Sequence, residues 1–556
     1  MRTKYNVSNS ALDFLTQELQ EWLKGREESL EGGEDGPPAK RQKLEFDSSD
    51  FVNSLLQLNT QKKRTHYYKS NFNLIEPEEL FINSNLKTRM TNGSIGIQTK
   101  NNTFQYMSIK KRLTALFSND GFRRLYFSES RSQDDFVRGT KDSKYVQVHP
   151  LFSKTPTAIR IQLFYDEVEV TNPLRSKTKK HELAMFCFRI LNLPNSENSK
   201  LANIFPLAIV NSIHVKNNSF DFVFSEFLNE LKELESEDGM LLGIPDFTNF
   251  RIRGTIAGVC ADTKGAHEIG GFLGPSANRF CRLCLITREE IKQKSCFDQL
   301  EMRTRENYDE AVEASSSNPE KASDTGIRSC CVLNCSKYFH FGENLILDAM
   351  HDFLEGVVPF MIKLFLRQLY SCGTTKISAA ELNRRIVLFH FSFYDLSNKP
   401  SPKFTDAGIR KEGDYLTKQR ASQNWCLIRM FPLLVGDLIK EDNEYYIHFL
   451  QLLDILDILF SPKIALEQIV VLEDLIRQFV ERFRELYPSV QPINKFHHMV
   501  HYPEVIRMHG PPTNYWCMRF EAFHNIVKKL AMTNCNFINF AKSAAFHVQS
   551  IFCANL

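Results

Sequence analysis

Residues 158–173, AIRIQLFYDEVEVTNP, alternate apolar and polar side chains and stop at Asn-Pro, a turn signal. Period two places every second side chain on one face, so the stretch predicts a half-buried β-strand rather than a helix. Two further apolar, partly alternating runs follow after short polar gaps: HELAMFCFRILNLP (181–194) and IFPLAIVNSIHVK (204–216). Next comes FDFVFSEFLNELKELESEDG (220–239), whose apolar residues recur at helical spacing. RIRGTIAGVCADTKG (251–265) reads as a buried strand ending at Asp262, and AHEIGGFLG (266–274) as a short helix and turn. A strand meander, a helix and another strand begin a mixed α/β sheet.

Beyond Cys284 the strand signal stops. Residues 285 to about 490 are mainly long helical patterns such as LILDAMHDFLEGVVPFMIKLFLRQLY, YYIHFLQLLDILDILF and IALEQIVVLEDLIRQFVERFREL. Polar loops separate them, SSSNPEKASDTG being the most loop-like. No repeat of fixed period is present. The α/β core is therefore expected to be interrupted by a helical block and resumed near the end of the chain.

Upstream, FQYMSIKKRLTALFSNDGFRRLYF (104–127) has helical spacing, so residues 61–145 are expected to form a basic, mainly helical region. From Thr60 to Tyr145 the chain carries 16 Lys+Arg against 8 Asp+Glu. That surplus suits a surface facing nucleic acid; charge alone fits a solvated basic surface equally well. Residues 1–60 read as a short helix, ALDFLTQELQEWLKG, and a polar, acidic linker. Within the linker PPAKRQKLEF sets Lys40, Arg41 and Lys43 between Pro and acidic residues, the pattern of a monopartite nuclear-import signal. A nuclear location and an import carrier as partner follow as expectations. The regions expected are thus 1–60 (tail), 61–145, 146–284 (first part of the core), 285–490 (helical block) and 491–556 (C-terminal part of the core).

With 556 residues, 42% hydrophobic and 24% charged, the chain has the composition of a globular protein of more than one ordinary domain. The 13 cysteines are scattered, no apolar run is long enough to span a bilayer, and MRTKYNVSNSALDF lacks a signal-peptide apolar core. No membrane association and a reducing intracellular compartment are expected, with any paired cysteines on metal rather than in disulfides.

The densest cluster of chemically active residues is KFHHMVHYPEVIRMHGPPTNYWCMRFEAFH (495–524). His497 and His501 are four apart and share one helix face, as a pair of metal-binding imidazoles would; His498 points elsewhere. Glu521 falls near the start of the next helical pattern. Far upstream, Cys281 and Cys284 have the two-residue gap of a zinc-knuckle half-site. Asp166 lies within a predicted strand and Asp262 at the end of another. Three carboxylates on a mixed sheet can hold two Mg²⁺ ions, although among 66 acidic residues some always fall at strand ends.

Four blocks in this order, FYDEVEVTNPLRSKTKKHELAMFCFRILNLP, GVCADTKGAHEIGGFLGPSANRFCRLC, LDAMHDFLEGVVP and KFHHMVHYPEVIRMHG...YWCMRFEAFHNIVKKLA, resemble those of eukaryotic cut-and-paste DDE transposases. The similarity is to the CACTA-like and Kyakuja-Dileera-Zisupton group of transposon-derived proteins, and it covers roughly residues 100–550. It implies an RNase H-like mixed sheet with a large all-helical insertion between the second Asp and the final Glu. Asp166, Asp262 and Glu521 would be the catalytic acids and magnesium ligands. Asp348 and His351 match an Asp-x-x-His motif in the insertion. The implied activity is Mg²⁺-dependent cleavage and transfer of DNA strands at transposon ends, with transposon-end and target DNA as partners and a possible homo-oligomer. The alternative is a domesticated, catalytically inactive DNA- or chromatin-binding protein. The catalytic subunit of the V(D)J recombinase, another DDE protein, has a similar Cys-x-x-Cys and paired-His arrangement. That likeness implies one structural zinc on Cys281, Cys284, His497 and His501.

Competing assignments bear on several residues. Cys296, Cys330, Cys331 and Cys335 could form a second metal site but sit in a loop-rich region and read better as free thiols. Asp348 and His351 could be a local helix pair. Glu355 competes with Glu521 for the third acid, and the resemblance favours Glu521. Tyr515 and Trp516 could stack on a base but read better as core aromatics. Lys177, Lys179 and Lys180 could touch phosphates or line a solvated loop.

Overall fold

The computed structural model describes residues 58–555 except 73, 92–93, 129–133, 172–180, 246, 345 and 372–376. Lys40, Arg41, Lys43, Lys177, Lys179 and Lys180 lie outside the described residues, as does the expected N-terminal helix.

The fold is mixed α/β. Six strands form the main sheet: β1 (Glu78–Thr91), β2 (Ser94–Tyr106), β3 (Ile159–Glu169), β4 (Glu182–Ile190), β5 (Phe205–Asn211) and β6 (Gly254–Ala261), in the order β1-β2-β5-β4-β3-β6. All neighbours are antiparallel except β3 and β6, which run parallel. The three predicted strands of the meander are β3, β4 and β5. Every residue of β4 is buried, which accounts for a nearly continuous apolar run, AMFCF, where a half-exposed strand would alternate.

The two faces of the sheet are told apart by neighbouring side chains of β3. Tyr165 packs on Phe186 and Phe220, at the start of helix α1 (Asp221–Glu235). Phe164 points the other way and stacks on Phe520, ring centroids 4.3 Å apart at 9°. Asp166 shares the face of Phe164 by the two-residue period. After β6, Asp262 caps helix α2 (Thr263–Ile269) by accepting a hydrogen bond from the Gly265 amide at 2.5 Å.

Residues 285–490 carry most of their regular structure as helix. A π-helical segment, Met350–Val357, runs into α3 (Val358–Ser371), with Ala421–Val435, Glu444–Leu459 and Leu466–Leu486 following. The chain closes through α4 (Asn494–His498), α5 (Tyr502–His509), α6 (Met518–Asn534) and α7 (Phe540–Asn555). No described helix is long and apolar enough to cross a membrane.

One expectation holds only in part. Residues 61–145 include the helix Gln61–Phe72, but β1 and β2 form a hairpin of 14- and 13-residue strands. The helical spacing of 104–127 is realised only in Ile109–Ser118 and Asp120–Phe127. The overlooked signal is Asn92-Gly93, the dipeptide that best favours a two-residue hairpin turn. The small hairpin Met240–Ile244 with Phe247–Ile252 also went unpredicted, its strands being short and its second one largely exposed.

Candidate active site and metal centres

Parallel pairing of β3 and β6 sets Tyr165 beside Ala261, so Asp166 and Asp262, each the next residue, sit side by side at the same end of adjacent strands. Glu521, in the first turn of α6, approaches from the face of Phe164. Buried groups fix that approach. The Gln162 amide donates to the Tyr515 carbonyl at 2.6 Å, and the Arg189 guanidinium donates to Gln162 Oε1 at 2.6 Å and to the Asn514 carbonyl at 2.5 Å. Arg189 also lies over the Phe520 ring, 5.0 Å from its centroid. The core of the sheet thereby holds the turn that precedes Glu521.

The electrostatics reflect this clustering. Burial, followed by the neighbouring charges of Asp262 and Glu521, pushes the Asp166 carboxyl up to about 7, with His351 acting in the opposite sense. Glu355 lies 3.9 Å from His351, whereas Glu521 Oε1 lies 3.1 Å from His351 Nε2. Of the two candidates for the third acid, Glu521 lies nearer His351, and its charge acts on Asp166 together with that of Asp262.

Asp348 and His351 belong to the same cluster. His351 Nδ1 bonds Asp348 and its Nε2 meets Glu521, and these two carboxylates hold the imidazole well above its usual pKa against the pull of burial. Burial alone would raise Asp348, but the His351 charge and hydrogen bonds from His351 and Cys517 keep it below the ordinary carboxylate range. Asp348 Oδ1 accepts the Cys517 amide at 2.8 Å, at the N-terminus of α6, where a carboxylate is favoured. The helix bearing Glu521 is therefore tethered through Asp348 to the π-helical segment bearing His351. Sequence reasoning missed these contacts because they join residues far apart in the chain.

Also unforeseen is an ion-pair chain beside the acids: Lys264 to Glu167 at 3.2 Å, Glu167 to Lys216 at 2.9 Å, and Lys216 to Glu182 at 2.5 Å. Tyr515 is fully buried with its hydroxyl donating to the Gly510 carbonyl, and Trp516 packs on Phe460. Tyr515 is a core aromatic, and Trp516 lies half-buried against the core.

The second cluster joins Cys281, Cys284, His497 and His501, all buried, with one ligand atom from each within 4.8 Å of the others. Cys281 Sγ is 3.5 Å from His501 Nε2, Cys284 Sγ is 3.3 Å from His497 Nε2, and the two Nε2 atoms are 3.1 Å apart. Zn–N bonds of about 2.0 Å and Zn–S bonds of about 2.3 Å in a tetrahedron require donor separations of roughly 3.3–3.8 Å, so the spacings suit one zinc-sized ion. Burial keeps His497 neutral down to about 4, and hydrogen bonds from Cys284 and the imidazoles hold Cys281 well below the usual thiol range despite its burial. A thiolate at Cys281 beside a neutral His497 suits metal binding. The Leu283 amide donates to Cys281 Sγ at 3.3 Å. His498 turns away, as expected, to Asp352 Oδ1 at 2.8 Å. The 12 described cysteines are all free thiols, Cys296, Cys330, Cys331 and Cys335 among them.

The carboxylate centre makes a testable statement about stability. With Asp166 at about 7 in the folded chain against an ordinary 3.8, the folded state binds more protons within that window. Metal-free stability therefore falls as pH rises from about 4 to 7. Asp166→Asn removes this penalty. In EDTA above pH 7 the variant should exceed the wild type by on the order of 1–3 kcal/mol. The side chain's 27% exposure keeps the gain below the full value of the shift. Thermal melts across pH check it; equal melting temperatures at every pH would contradict the crowding of the acids.

No family model matches the chain, and no curated protein matches it in sequence.

Proposed function

We propose that the chain is a DDE-type transposase, or a protein derived from one, that cleaves and joins DNA strands. The observation that carries the reading is the convergence of Asp166, Asp262 and Glu521 at one edge of a mixed sheet. The order β5-β4-β3-β6, with an antiparallel meander, helix α1 and a parallel β6, supports an RNase H-like core. The helical block between Asp262 and Glu521 supports reading it as an insertion in that core. Zinc on Cys281, Cys284, His497 and His501 would join the two ends of the block and serve structure.

Asp166, Asp262 and Glu521 would hold two Mg²⁺, which supply Lewis acidity for phosphodiester hydrolysis and transesterification. The chain's own residues then have distinct jobs. Asp166 and Asp262 are fixed by strand register, and Glu521 is steered by Phe520, Arg189 and Asp348. Protonated His351 shares Glu521 and limits repulsion among the acids while they are without metal. The reaction is hydrolysis at an element end followed by attack of the freed 3′-hydroxyl on target DNA. A nuclear location, import through Lys40, Arg41 and Lys43, and assembly into a homo-oligomer accompany this reading.

A strand-transfer assay tests it: full chain, labelled duplex bearing the flanking terminal repeats, and Mg²⁺ or Mn²⁺. Nicked and joined products are expected. Specific binding without product in either ion would favour the domesticated, inactive reading, while absent or salt-insensitive DNA binding would remove both.

A further inference from the structure

The β1–β2 hairpin is much longer than its seat in the sheet. Of β2 only Gln105 and Tyr106 pair with β5, whereas β1 and β2 pair with each other from Glu78↔Tyr106 to Thr91↔Ser94. The eleven residues 94–104 of β2 thus form, with β1, a two-stranded ribbon reaching about 35 Å beyond the sheet at roughly 3.4 Å per residue. Its direction follows from topology. β3 and β6 run toward the end of the sheet at which Asp166 and Asp262 lie, β4 runs against β3, β5 against β4, and β2 against β5. β2 therefore enters the sheet from the end at which the acids lie, and the ribbon projects past the edge that carries them.

Its composition is one-sided. Between Leu80 and Tyr106 stand three basic residues, Lys87, Arg89 and Lys100, and no Asp or Glu. The register pairs Asn85↔Lys100, Lys87↔Gln98 and Arg89↔Gly96, so all three basic positions share one face of the ribbon. The other face includes Leu86 and Ile97, 75% and 72% exposed. A bare two-stranded ribbon is marginal in water, and among the described residues this one is braced near its root, where Asn83 donates to Asn218 at 3.3 Å and Lys542 pairs with Glu79.

A second feature lies along the same edge, between the ribbon and the acid strands. A cavity of about 320 Å³ is lined by Lys100, His181, Asn211, His214 and Lys542, with Glu79 as its one carboxylate. Burial, followed by the Lys100 charge, lowers the His214 pKa.

We infer that the β1–β2 ribbon is a duplex-DNA arm, its Lys87, Arg89 and Lys100 face gripping phosphates while the duplex runs from the ribbon along the basic edge to the acids. A two-stranded ribbon fits a DNA groove, and basic residues without acids complement the phosphate backbone. The inference rests on the DNA-processing reading and specifies where that DNA lies.

The test compares the full chain with the K87A/R89A/K100A variant for binding to a labelled duplex of arbitrary sequence across a salt series. Thermal melting confirms that the variant is folded, and sedimentation gives its oligomeric state. Loss of three phosphate contacts should flatten the log K against log salt slope by about 2.7 and weaken binding at least about tenfold at low salt. Replacing the three positions with the opposite basic residue (K87R/R89K/K100R) should preserve both. Unchanged affinity and slope in a folded triple variant of a chain that still nicks DNA would overturn this inference alone. A native chain that binds no duplex would overturn both this inference and the functional reading. Conversion of a dimer to a monomer at unchanged affinity per protomer would assign the ribbon to a second copy of the chain and overturn the DNA role.

Discussion

Asp262→Asn and Glu521→Gln are each expected to lower strand cleavage by at least about 10³-fold while leaving duplex affinity nearly unchanged. Both substitutions preserve shape and remove one negative charge, so they separate metal binding from folding. Glu355→Gln provides the internal comparison. Glu355 is exposed and lies 3.9 Å from His351, against 3.1 Å for Glu521, so its loss should lower the rate by about tenfold or less. Single-turnover cleavage at saturating DNA measures the three together. A larger effect at Glu355 than at Glu521 would move the third acid to the π-helical segment, and full activity in Glu521→Gln would dismantle the carboxylate centre.

Cys284→Ser is expected to yield a chain that purifies without zinc and melts about 5–10 °C lower. The cluster joins residues 213 positions apart, Cys284 and His497, and without metal it leaves buried thiols and imidazoles with few satisfied partners. The His501 Nδ1 atom already has no hydrogen-bond partner. The consequence should reach the carboxylates. Adjacent to the Cys/His cluster, His498 bonds Asp352 Oδ1 at 2.8 Å and the Tyr502 hydroxyl donates to Asp352 Oδ2 at 2.9 Å. Asp352 follows His351 directly on the π-helical segment, a local irregularity often found at functional sites. Loosening α4 and α5 therefore loosens the support of the imidazole that meets Glu521. Cleavage in Cys284→Ser should fall less than in Glu521→Gln, and cleavage in His501→Ala, whose three remaining ligands can still bind zinc weakly, should recover in part when zinc is resupplied.

The sequence was informative where local pattern and burial agree. Alternation and the Asn-Pro stop mark β3, apolar continuity marks β4, and the apolar run closing at Asp262 marks β6. Residue type together with spacing marks Cys281, Cys284, His497 and His501, because two residues or four suffice to align such pairs. Asp166 and Asp262 become neighbours only through the parallel register of β3 and β6, and no local pattern records that register. Glu521 depends on Gln162 and Arg189 holding a turn more than three hundred residues away. The β1–β2 ribbon is hard to read because its apolar residues are few and helical spacing begins just downstream; Asn92-Gly93 carries the strand signal.

The central claim is a division of labour between two metal sites: zinc on Cys281, Cys284, His497 and His501, and Mg²⁺ on Asp166, Asp262 and Glu521. Metal analysis of purified wild type, Cys284→Ser and Glu521→Ala, with Mn²⁺ binding counted in the same samples, tests it most directly. The account predicts one zinc per chain in the wild type and in Glu521→Ala, none in Cys284→Ser, and Mn²⁺ binding impaired in Glu521→Ala. Zinc lost with Glu521, or retained after Cys284 is replaced, would contradict it.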